Sequence, residues 1–118
     1  VIAVLRDEPG REALTAEILA ESVISTVNMA EVQLVLVRDG MKPEDAWEDA
    51  SLIVSLIEAF TPEMARLAGS LITQTRPFGL SLGDRACLAL AITLDAPVYT
   101  ADRAWKTLDV GCQIHVIR

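Results

Sequence analysis

Short β-rich runs alternate with helical patterns along the chain, and this alternation limits the possible folds more than any other feature. Ser22 to Ser25, Pro97 to Thr100 and Gln113 to Ile117 read as strands, with Ile57 to Thr61 as a further short one. Between them, apolar residues recur at helical spacing. Leu14, Ile18 and Leu19 mark an amphipathic helix from Pro9 to Ala20, and Asn28 to Arg38 reads as a buried helix that stops at Asp39-Gly40. Pro43 opens a helix running to about Leu56, with Ala46, Ala50, Ile53, Val54 and Ile57 on one stripe and acids opposite. Pro62 opens another, carrying Met64, Leu67, Leu71 and Ile72. Asp84 to Leu94 is apolar nearly all round and rich in Ala, the pattern of a central helix packed between neighbours. Strands alternating with helices favour a parallel sheet covered on both faces, so the predicted class is α/β.

Hydrophobic residues make up 52% of the 118 residues and are spread throughout, which excludes a disordered or fibrous chain. That length suits one domain with its own core, and no repeat, low-complexity tract or Ser/Gly-rich linker divides it. Charged residues interrupt every apolar run before the ~20 residues a membrane span needs, and nothing at the start resembles a signal peptide. The expectation is a soluble, cytoplasmic protein. Cys87 and Cys112 lack CxxC spacing, and Cys and His together number three, one short of a usual structural zinc set. Both are read as buried thiols.

In parallel sheets, ligands gather beyond the carboxyl ends of strands. Glu31 follows Val23-Ile24-Ser25, Asp84 follows the Phe78 to Leu82 connection, and Asp102 follows Val98-Tyr99-Thr100. Carboxylates are hard oxygen ligands for magnesium or manganese, and several held together repel one another until a divalent cation neutralises them. The competing explanation is local. Asn28-x-x-Glu31 and Ser81-x-x-Asp84 both have capping-box spacing, acids in a first helical turn suit the helix dipole, and Asp102 can cap the short segment ending near Leu108. Taken singly, capping accounts for each acid; the metal reading comes from the set.

That set stands inside three words in one order: Ser25-Thr26-Val27-Asn28-Met29-Ala30-Glu31-Val32, Leu80-Ser81-Leu82-Gly83-Asp84-Arg85-Ala86 and Val98-Tyr99-Thr100-Ala101-Asp102-Arg103-Ala104-Trp105. Together they resemble a PIN-domain ribonuclease of the VapC-type toxin branch, over nearly the whole chain. The resemblance implies a three-layer α/β/α sandwich with a mainly parallel central sheet. It also implies a Mg2+ (or Mn2+) dependent endoribonuclease acting on RNA, a VapB-like antitoxin that covers the site, and a homodimer. Glu31, Asp84 and Asp102 take the places of three of the family's four metal-site acids. The fourth ends the family's first strand within Asp-x-Ser-Ala, whereas this sequence opens at Val1-Ile2-Ala3-Val4-Leu5. The comparison therefore implies a central first strand with its Asp upstream of Val1.

The remaining candidates have weaker claims. Arg85 and Arg103 follow two of the acids, and guanidinium geometry suits phosphate, although each can equally pair with a surface carboxylate. Thr100 and Ser25 place hydroxyls at strand ends, where they contact substrate or satisfy backbone groups. Lys106 is read as solvated. His115, the only His, lies on the face of the last strand opposite Ile114 and Val116, which leaves no evident His general base. Trp47 and Trp105 are read as core or interface groups. The net charge of −7 excludes a broad basic nucleic-acid surface, so an RNA contact would draw on metal ions and a few local arginines. Two other functions fit an acidic sheet edge: a phosphoryl-accepting receiver domain, and a noncatalytic interaction module with the PIN fold.

Overall fold

The computed structural model describes residues 15–117, and the chain divides into two compact units, Val1–Ala59 and Phe60–Arg118. Most of the helix expected from Pro9, and the opening run from Val1, lie outside the described residues.

In the first unit Thr15 caps helix α1 (Ala16–Ala20), its Oγ1 accepting the Ile18 N–H at 3.2 Å. The helix expected over residues 9–20 therefore has an initiation point at Thr15. Strand β1 (Val23–Ser25) runs directly into helix α2 (Thr26–Arg38), because Ser25 is at once the last strand residue and the N-cap. Helix α3 (Pro43–Ile53) leads back to strand β2 (Leu56–Glu58). The two strands pair in parallel with Val23 opposite Leu56 and Ser25 opposite Glu58. Met29, Val32 and Leu36, at helical spacing on α2, pack in one core with Ile24 and with Ala46 and Ala50 of α3. The two alanines have no exposed surface, and their small side chains let the helices approach closely.

The turn between these helices closes α2 with a Schellman motif. Gly40 N–H donates to the Val37 carbonyl at 3.0 Å, Met41 N–H donates to that of Leu36 at 3.1 Å, and Met41 packs on the core beside Leu36. Gly40 sits at φ 112°, a conformation that an L side chain resists.

In the second unit Thr61 caps helix α4 (Pro62–Ser70), followed by a short helix α5 (Ile72–Thr75) and a 3-10 turn at Arg76–Phe78. Helix α6 (Leu82–Leu94) has two buried faces. Ala89 and Leu90 meet Met64 and Ala68 of α4, whereas Leu88 and Ala91 share a cluster with Leu71, Leu80, Val98, Trp105 and Leu108. That is the central, apolar helix its composition called for. Asp95 turns the chain at φ 51°, strand β3 (Val98–Thr100) follows, and a 3-10 turn at Arg103–Thr107 leads toward strand β4 (Ile114–Val116). These strands are also parallel, with Tyr99 opposite His115 and their rings stacked at 5.0 Å between centroids.

The α/β class with parallel strands holds, and among the described residues the strands form two parallel pairs, one per unit. Among these residues no helix is long and apolar enough to cross a membrane. The passage from α3 to β2 differs from expectation. Helix α3 ends at Ile53, not Leu56, and β2 covers 56–58, not 57–61. The cause is nonlocal: Ser55 and Leu56 N–H groups both donate to the Ser22 carbonyl, which draws the chain out of the helix and into register with β1.

Two stability predictions follow from this packing. Gly40→Ala meets no atom within 4 Å, so its cost should come from backbone conformation alone, about 1–2 kcal/mol in urea unfolding. Leu88, fully buried on α6, should lose about 2–5 kcal/mol as Leu88→Ala in the same measurement.

Candidate functional site

The second unit carries two of the three acids, each fixed by the turn that it begins. Ser81 and Asp84 form a complete capping box at the start of α6. Ser81 Oγ accepts the Asp84 N–H at 3.2 Å, while Asp84 Oδ2 accepts the Ser81 N–H at 2.9 Å. Asp102 Oδ1 accepts the Ala104 N–H at 2.9 Å and so caps the 3-10 turn. Among the described residues Asp84 Oδ1 and Asp102 Oδ2 have no hydrogen-bond partner. Capping and ligation need not compete, because each carboxylate has two oxygens and the cap uses one.

The two turns border one buried cluster. Leu80, just before the N-cap of α6, and Trp105, three residues past Asp102, are buried in one cluster with Leu88 and Val98.

The neighbours of these acids take mainly structural positions. Thr100 Oγ1 accepts the Asp102 N–H at 3.1 Å, which fixes the path of the chain into the acid. Arg85 is half-buried, and its Nη1 donates to the Leu80 carbonyl at 3.1 Å, so the guanidinium folds back over the turn before α6. Arg103 and Lys106 are exposed on the 3-10 turn. Two buried donors, Arg85 Nε and Trp105 Nε1, have no acceptor among the described residues, and they flank Asp84 and Asp102 in sequence. Trp105 is core, as expected, whereas Trp47 is exposed. His115 stacks on Tyr99 in mid-strand. Both cysteines are half-buried and outside any disulfide, and burial raises the Cys112 thiol above its ordinary pKa, so it stays protonated at neutral pH.

Glu31 belongs to the first unit, and its local setting corrects the expected capping box. Helix α2 starts at Thr26, so Asn28 is the third residue of the helix and Glu31 lies in its second turn. The cap is Ser25, whose Oγ accepts the Asn28 N–H at 3.1 Å. Ser25 in turn donates its hydroxyl to Asn28 Oδ1 at 2.7 Å, and Asn28 Nδ2 donates to Glu31 Oε1 at 3.0 Å. Asn28 is the residue that sequence reasoning assigned to the wrong role. The signal that could have placed it was Ser25-x-x-Asn28, with a polar side chain three residues past a capping serine.

Among the described residues no group of three or more His, Cys, Asp or Glu side chains is gathered so as to hold a metal ion. Glu31, Asp84 and Asp102 each carry hard carboxylate oxygens, the donor type suited to magnesium or manganese.

No curated protein and no solved structure matches the chain. The PIN domain family matches residues 1–111, nearly the full length. The chain therefore belongs to the PIN domain family, whose members are in general nucleases that use divalent metal ions.

Proposed function

We propose that the protein is a Mg2+ or Mn2+ dependent endoribonuclease with Glu31, Asp84 and Asp102 as its metal ligands. The observation carrying this reading is shared by all three acids: one carboxylate oxygen is held by a local hydrogen bond and the other has no partner among the described residues. Each ligand oxygen is thereby oriented before any ion arrives. When bound, the divalent ion supplies the positive charge that activates water and stabilises the phosphodiester's developing negative charge.

The chain's own groups do the rest. Asp84 and Asp102 sit on backbone turns closed by their own caps, which limits their rotamers. Thr100 accepts from the Asp102 N–H and keeps its hydroxyl hydrogen for a phosphate oxygen. Arg85 and Arg103 add local positive charge to a chain of net charge −7. The one His, His115, stacks on Tyr99 in mid-strand, and this reading gives it no role as a base.

The toxin reading rests on the word pattern around the acids. In that reading the protein is the toxin of a VapBC-like pair in the cytoplasm, forms a homodimer and is blocked by a cognate VapB-like antitoxin. A basic partner suits the acidic surface.

In the full-length protein, Asp84→Asn and Asp102→Asn should each abolish RNA cleavage while leaving circular dichroism and unfolding midpoint close to wild type. Retained cleavage by both variants at saturating Mg2+ overturns the assignment. Failure of the full-length wild-type protein either to bind Mn2+ in calorimetry or to cut RNA would favour the noncatalytic PIN module.

A further inference from the structure

We infer that Asn28 is a positioning residue for Glu31, holding its carboxylate in the orientation that receives the cation; this rests on the reading of Glu31 as a metal ligand. Three hydrogen bonds in series carry the inference. Ser25 has no exposed surface, and its position as both strand end and N-cap leaves its hydroxyl no freedom. That hydroxyl accepts the Asn28 N–H and donates to Asn28 Oδ1, which defines which way the amide faces. With Oδ1 turned toward Ser25, Nδ2 points to the next turn of the helix and meets Glu31 Oε1 at 3.0 Å.

The chemistry makes this orientation one-way. An ionised carboxylate only accepts, so a flipped amide would set Oδ1 against Glu31 Oε1 and lose that hydrogen bond, along with the acceptor for the Ser25 hydroxyl. Glu31 is exposed, and a glutamate on an exposed helix face otherwise samples many rotamers. The amide ties Oε1 to the helix and leaves Oε2 as the oxygen without a partner among the described residues. Asn28 thus acts for Glu31 as the Ser81 backbone N–H acts for Asp84 and the Ala104 N–H for Asp102. The difference is that a glutamate in a second helical turn has no free backbone donor within reach, so a side chain must supply one.

The test is calorimetric titration of the full-length protein with Mn2+, alongside RNA cleavage as a function of metal concentration. Asn28→Ala should weaken the apparent Mn2+ affinity about ten- to a hundredfold. The cleavage rate at saturating metal should largely recover, a split that mere loss of helix stability would not produce. Asn28→Leu, closer to Asn in size, serves as the second variant if Ala perturbs folding. In a Glu31→Gln background, Asn28→Ala should have no further effect on metal affinity, whereas additive losses overturn the positioning role. If Glu31→Gln weakens metal binding and both Asn28 variants match wild type, the positioning role alone falls. If Glu31→Gln leaves metal binding unchanged, the ligand assignment fails and this inference fails with it.

Discussion

A helix starts with N–H groups that no preceding turn can satisfy, and the placement of the acids in this protein depends on how those groups are closed. Ser25, Thr61 and Ser81 supply side-chain oxygens at the starts of α2, α4 and α6, and Asp102 does so for the 3-10 turn after β3. At Ser81 the acid belongs to the cap. Asp84 has to face the Ser81 N–H if both groups are to be satisfied, so the capping requirement itself determines where its second oxygen lies. At Ser25 the third helical position is an Asn, and the same requirement passes a donor onward to Glu31. A capped helix start and an oriented carboxylate are two results of one hydrogen-bonding demand.

The strands cannot account for the stability of this arrangement. Each is three residues long, and a pair of that size is marginal in water unless helices cover it. The support comes from helix contacts: α2 against α3 in one unit, and α4 against α6 in the other. Alanine has a specific part in both. Ala46 and Ala50 on α3, and Ala68 and Ala89 between α4 and α6, have no exposed surface and allow close axes. Alanine also has the best helix propensity and gives up no side-chain entropy on burial, so close packing is obtained at low cost.

Much of this was legible in the residues because local chemistry determined it. Thr61-Pro62 marks a helix start twice over, with a capping hydroxyl and a proline in the first turn, and α4 begins there. Ser81-x-x-Asp84 specified its own capping box, and Asp102 was readable as an N-cap. Asp39-Gly40 marked the end of α2 through a glycine at positive φ. The misreadings fall where distant parts of the chain decide. Nothing local tells Val54 to leave the helix; the Ser22 carbonyl does, some thirty residues earlier in the chain. The start of α2 was placed at Asn28 because Val23-Ile24-Ser25 reads as strand, and a residue that ends a strand and caps a helix gives contradictory local signals. Asn28 was then paired with Glu31 at the right spacing but in the wrong role.

The same caps bear on how each acid is held in its own turn. Asp84 and Asp102 stand on two turns that share one buried cluster, Leu80 preceding the first turn and Trp105 lying in the second. Each is also placed where backbone N–H groups converge, and a first-turn acid gains about 0.3–1 kcal/mol from the helix dipole in addition to its cap. Those contributions hold each carboxylate without using both of its oxygens. Glu31, in a second turn, lies past the reach of that dipole, which falls off within one turn. Among the described residues its carboxylate is held by the neutral Asn28 amide, and for that reason its orientation is sensitive to loss of that one side chain.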